Sequence, residues 1–186
     1  MDTTSAVSPD PAGLKALAHP VRLRMLGLLR IDGPATATSL AERLGLNSGA
    51  TSYHLRQLAQ HGFIVDDETR GNGRERWWRA AHVSTRTEGD AGDPEAMTSY
   101  LHAVAALYAD LQQRSLVERQ FLPEEWQRAT TLSDWAVRLT PSRAKALLDA
   151  LVSAIEAEEE EPDDNEAAAP FVVQLSTYPL PGSVLP

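Results

Sequence analysis

The chain has 186 residues, enough for one large domain or two small ones, and is 42% hydrophobic and 23% charged, the balance of a folded, water-soluble protein. It holds no cysteine, which excludes disulfides, thiolate metal sites and thiol catalysis. The net charge of −9 argues against nucleic acid as a partner only until its distribution is read: residues 1–80 carry ten Lys/Arg and eight Asp/Glu, net +2, while residues 81–186 carry seven and eighteen, net −11. No apolar run approaches the ~18 residues of a membrane span. The polar, acidic start has neither the basic nor the apolar region of a signal peptide, so a cytoplasmic protein with no membrane partner is expected.

In chain order, residues 1–10 are expected to be disordered. Residues 11–31 read as helix, with Leu14, Leu17, Val21, Met25, Leu28 and Leu29 on one broad face and a break at His19-Pro20, because proline disfavours the α conformation in the residue before it. "TSLAERLG" reads as a second helix, with Thr38 as its cap, Leu40, Ala41 and Leu44 inward and Gly45 as its stop. Asn47 caps a third helix whose Thr51, Leu55 and Leu58 face inward and which ends at Gly62. "FIVDDETRGNGRERWWRAA" reads as a β-hairpin, with strands at Phe63–Val65 and Arg76–Ala80 and "RGNG" as the turn, since Asn-Gly accepts positive φ. Trp77 and Trp78 then point to opposite faces, one of them into the core.

Residues 82–92 read as a linker. Residues 93–121 read as a long helix, with Asp93 as cap, Pro94 in first position and Glu95 suited to the helix dipole. Met97, Leu101, Val104, Tyr108 and Leu111 follow 4-3-4-3 spacing, a seam that predicts a homodimer. Residues 122–186 read as a small α/β unit in strand–helix–strand order. The first strand alternates through Leu132, Trp135, Val137 and Leu139. The helix begins at Thr140-Pro141, and "PFVVQLSTYPLP" closes the unit after an acidic linker over 156–169. The Glu158–Glu161 run reads as solvated linker, since unanchored carboxylates hold no ion geometry.

Three helices followed by a hairpin with a basic tip is the order of a winged helix-turn-helix, so the fold class is mainly α with a β-wing. With the core direction of the third helix set by Thr51, Leu55 and Leu58, Gly49, Ser52, Tyr53 and Arg56 point away from it at 100° per residue. Ser48 and Gly49 let that end of the helix approach another polymer closely, and its open N–H groups suit phosphate. Ser52, Tyr53 and Arg56 are expected at bases or the sugar-phosphate, and Arg70, Asn72, Arg74 and Arg76 of the wing at phosphates or the minor groove. An enzyme is not expected: the chain has no Gly-rich phosphate loop, no nucleophile elbow and no paired-ligand motif.

"LKALAHPVRLRMLGLL", "TSLAERLGLNSGATSYHLRQLAQHGFI" and "RGNGRERWWRAA" together resemble the ArsR-type winged-helix repressors of bacteria, over roughly residues 12–81. The resemblance implies a dimer formed through terminal helices, a near-palindromic double-stranded DNA operator and a repressor's role. The chain departs from the metal-sensing branch, which uses cysteines in the helix-turn-helix or an Asp/His set on the last helix; here that helix offers only His102 and Asp110. No metal and no cofactor are therefore expected. A small-molecule effector of unassigned chemistry is compatible with the extra length beyond residue 121. The rival reading is a winged helix that binds another regulator instead of DNA.

Overall fold

The computed structural model describes residues 6–70, 75–87, 92–162 and 164–184. Met1–Glu118 form one unit and Arg119–Pro186 a second. In the first unit Asp10 starts the helical part: its carboxylate accepts from the Gly13 N–H at 2.7 Å, and Pro11 opens α1 (Pro11–Leu17) with the φ a helix needs. The helix breaks before Pro20. His19 Nδ1 accepts from the Val21 N–H at 3.2 Å and starts α2 (Pro20–Ile31).

A two-residue strand, β2 (Ala35–Thr36), leads into α3 (Ala37–Leu44). The cap of α3 is Thr36, not the expected Thr38. Thr36 Oγ1 accepts from the Ser39 N–H at 3.2 Å and Ser39 Oγ accepts from the Thr36 N–H at 3.1 Å, a reciprocal pair that Thr38, already inside the helix, cannot make. Gly45 ends α3 at φ +65°, a conformation an L side chain would strain. Asn47 Oδ1 then accepts from the Ala50 N–H at 2.8 Å and begins α4 (Ser48–Gln60).

β3 (Ile64–Asp66) and β4 (Trp77–Ala80) pair antiparallel, Asp66 opposite Trp78, and β2 adds to the other edge of β4, so the sheet order is β2-β4-β3. The core between helices and sheet is built from fully buried Leu14, Met25, Leu40, Leu55, Phe63 and Ile64 with Trp78 closing it. Trp78 is the core tryptophan, and Trp77 is half-buried. Of the first ten residues, Ala6–Val7 form β1, paired in parallel with β5 (Ser84–Thr85), so part of the expected disordered start and part of the expected linker hold each other.

α5 (Pro94–Glu118) packs most closely on α1 and also on α2. Lys15 Nζ lies 2.8 Å from Asp93 Oδ2, and Asp93 Oδ1 accepts from the Ala96 N–H at 3.0 Å. The face α5 turns to the core is Ala96, Tyr100, Ala103 and Leu107, with Met97 and Val104 packed beside them. The five-residue seam read from the sequence is therefore divided: Met97 and Val104 serve the unit's own core, Leu101 is 46% exposed, and Tyr108 and Leu111 are half-buried.

The second unit holds a short 3-10 turn (Arg119–Phe121), α6 (Glu124–Ala129) and α7 (Pro141–Glu156). Thr140 caps α7 as expected. The two flanking strands of the expected strand–helix–strand are absent among the described residues: 130–140 and 170–180 have no regular secondary structure and no ladder partners. Alternation in sequence makes a strand only when another strand takes its N–H and C=O groups. Trp135 is 81% exposed, and the Trp126 and Phe171 rings stack at 6.2 Å.

Candidate nucleic-acid interface

α4 is held from beneath by Thr51, Leu55 and Leu58, each 0% exposed. Thr51 Oγ1 donates to the Asn47 carbonyl at 3.1 Å, which spends its hydroxyl inside the helix and lets it sit in the core. With those three inward, Ser48, Gly49, Tyr53 and Arg56 are exposed and Ser52 is half-buried. A Cβ built on Gly49 would meet only Asn47 Oδ1, at 3.4 Å, so the fold itself has room for a larger residue there. Among the described residues Arg56 has neither a hydrogen-bond nor an ion-pair partner, so its guanidinium keeps all five donors open.

The wing arginines are placed differently. Arg76 Nε lies 2.6 Å from Asp66 Oδ2, and its guanidinium lies 4.1 Å from the centre of the Trp78 ring. Arg70 Nε lies 3.8 Å from Asp67 Oδ2 and its guanidinium 6.0 Å from the centre of the Trp77 ring. Both side chains stay largely exposed. Asn72 and Arg74, the other two wing residues named from the sequence, lie outside the described residues.

Two features of this region were not read from the sequence. Asp67 is buried at the base of the wing, where it accepts from the Thr69 hydroxyl at 2.6 Å and from the Thr69 N–H at 3.2 Å. The hydrogen bond from the Thr69 hydroxyl, helped by its N–H and by Arg70 and Arg79, holds the carboxyl below its ordinary range. The Asp-x-Thr spacing before a turn was the available signal. The second feature is the contact between His19 and His54, whose ring centres lie 4.6 Å apart. Tyr53 meets the same His54 ring edge-on at 5.4 Å.

Among the described residues no group of three or more His, Cys, Asp or Glu side chains is placed to hold a metal ion. His102 is exposed on α5, and Asp110 is engaged by Arg24 at 3.7 Å and Arg114 at 3.1 Å. Among the described residues no helix is long and apolar enough to cross a membrane.

Residues 17–67 match a family model described as a helix-turn-helix domain, a span that runs from the end of α1 to the first turn of the wing. Over 64 residues the chain is 46% identical to the HTH-type transcriptional regulator NmtR of Mycobacterium tuberculosis. The chain carries a helix-turn-helix domain over residues 17–67. In that domain α3 and α4 are the two named helices and Gly45-Leu46 the turn between them. The match to NmtR covers 34% of this chain and 52% of that protein, so the chain spans about half the length of the curated relative it matches. Among solved structures, a possible transcriptional regulator for arsenical resistance is 25% identical, with 57% of this chain and 94% of that chain covered and a TM-score of 0.33. Lactococcus lactis ZitR, a double mutant in apo form, is 14% identical, with 74% and 83% covered and a TM-score of 0.35.

Proposed function

We propose that the chain is a sequence-specific DNA-binding transcriptional regulator that acts as a homodimeric repressor on a near-palindromic operator. The observation that carries this reading is the outward face of α4: small Ser48 and Gly49 at its start, then Ser52, Tyr53 and an uncommitted Arg56, over a core that fixes the helix's rotation. An arginine with an open guanidinium is the commonest reader of guanine, and a helix N-terminus with small side chains can come close to the sugar-phosphate. The relative that is 46% identical over 64 residues is named a transcriptional regulator, which supports the same reading. The exposed Leu101 on α5 supports a partner helix. Two copies would read half-sites about one helical turn, ~10 bp, apart or a multiple of it.

The test is a gel shift of the full chain on the DNA upstream of its own gene against a scrambled duplex of equal length. A shifted band that survives scrambled competitor is the expected result. Equal, weak affinity for both duplexes would favour the rival reading, in which the winged helix grips another protein.

A further inference from the structure

His19 and His54 join the two elements that set the position of α4. His19 starts α2, and its Nδ1 accepts from the Val21 N–H at 3.2 Å. That nitrogen must keep its lone pair, so protonation there removes the cap. His54 lies in α4 between the core face and the outward face, one residue from Tyr53 and two from Arg56. Its Nδ1 is buried with no hydrogen-bond partner. A neutral ring tolerates one unmet lone pair; a protonated ring would bury a charged N–H with no acceptor, which is far more costly. The rings lie 4.6 Å apart, so two charged imidazoles would also repel.

The charged neighbours all push the same way. From α2, Arg22 bears on both rings; it cannot swing away without losing its bonds to the Ala16 and Lys15 carbonyls at the end of α1. From α4 itself, Tyr53 touches the His54 ring. No carboxylate of the described residues in α1, α3 or β3 acts on either ring to hold a proton. Burial, first of all, moves both imidazoles below the ordinary histidine value of 6.5; Arg22 adds to this at both, and His19 adds to it at His54.

We propose that the His19–His54 contact is an acid-sensitive latch: with both rings neutral it seats α4 on the start of α2, and protonation of either ring releases α4 and weakens its grip on DNA. Its consequence at DNA rests on the function proposed above; the latch itself is a property of the fold. The direction follows from linkage. A histidine whose folded value is depressed contributes stability that is complete above about 6.5 and is lost as pH falls through its folded value, because the unfolded chain takes up the proton first.

The test uses the full chain and two variants. His54→Leu removes the orphaned nitrogen and fills the site. His19→Asn keeps an N-cap acceptor that does not titrate. Three readouts are taken between pH 7.5 and 5.5: imidazole titration by NMR, urea unfolding, and affinity for the upstream duplex. Both rings should titrate below 6.5. The folded-to-unfolded ratio of the wild type should fall by up to about tenfold more than that of either variant on reaching pH 5.5. Exchange of the α4 amides should quicken in the wild type alone, and DNA affinity should fall with it. A His54 ring that titrates at or above 6.5, or variants that keep the wild-type pH dependence, would overturn the latch. DNA affinity unchanged while α4 loosens would overturn its coupling to the grip. Absence of DNA binding at pH 7.5 would instead overturn the proposed function and leave the titration and unfolding results to decide the latch.

Discussion

Arg76 and Asp66 form a 2.6 Å ion pair across the base of the hairpin, and the same guanidinium lies over the Trp78 ring. Arg76 immediately precedes β4, two residues before Trp78, and Asp66 is the register partner of Trp78. The Arg76 charge is thus engaged inside the protein, whereas Arg56 on α4 is not. Two arginines that look alike in sequence should therefore differ in effect. Arg56→Ala should cost roughly 1–3 kcal/mol on the operator and narrow the gap to random DNA. Arg76→Ala should lower stability by about 1 kcal/mol or less, as an exposed pair with a cation–π contact does, and should change the salt slope of binding by less than one. Titration on operator and scrambled duplexes at several salt concentrations, with urea melts, separates the two. Equal loss of operator specificity from both variants would show that Arg76 leaves Asp66 to read bases.

Gly49 offers a cleaner test of close approach. A methyl group there meets nothing tighter than ordinary contact with Asn47 Oδ1, and alanine is favoured over glycine in helices by up to ~1 kcal/mol. Gly49→Ala should leave the melting temperature equal or higher. If the backbone of α4 comes against DNA at this point, operator affinity should nevertheless drop several-fold. A variant that is as stable and binds as well would place Gly49 away from the duplex.

The elements most legible in the sequence were those whose local chemistry is self-sufficient. Asn47, Gly45 and Pro20 each fix a helix end by their own side chain or backbone, and each sits where the sequence placed it. The rotation of α4 was legible too, because Thr51, Leu55 and Leu58 leave only one inward face. What depends on a distant partner was less so. The β1–β5 pairing joins residues about eighty positions apart and has no local signal. The α5 seam matched a heptad pattern, but the same spacing also serves packing against α1 and α2, and Met97 and Val104 went to that use. The alternation around Trp135 found no strand to pair with. The His19–His54 contact, 35 residues apart in the chain, follows only once α2 and α4 are packed.

Asp67 should make the base of the wing acid-labile. Its carboxyl is held below the ordinary 3.8 by the Thr69 hydroxyl first, then by the Thr69 N–H, Arg70 and Arg79, against the opposing effect of burial. Stability from a depressed carboxylate is present above its unfolded value and is lost as pH falls through the folded one. Asp67→Ala should lower the melting temperature at pH 7 and flatten its decline below about pH 4. A variant with the wild-type melting curve at both pH values would show that the Thr69 contacts contribute nothing to the hairpin.

α5 supplies the sharpest test of assembly, because two of its apolar residues have different neighbours. Val104 packs against the unit's own core, while Leu101 is 46% exposed. An exposed leucine on a 25-residue helix that already rests one face on α1 and α2 needs a second apolar surface to leave water. Leu101→Asp should therefore keep the helix content and melting temperature of the monomeric unit but shift sedimentation at micromolar concentration from dimer to monomer. Its operator affinity should fall steeply, since one copy grips one half-site. Val104→Asp should do something else: a carboxylate against the core costs several kcal/mol, so the unit itself should melt early whatever its oligomeric state. A wild-type chain that sediments as a monomer at micromolar concentration would sink the dimer. A Leu101→Asp variant that stays dimeric would instead overturn the place of Leu101 in the interface, because the partner would then have to lie on a face of α5 that does not include it.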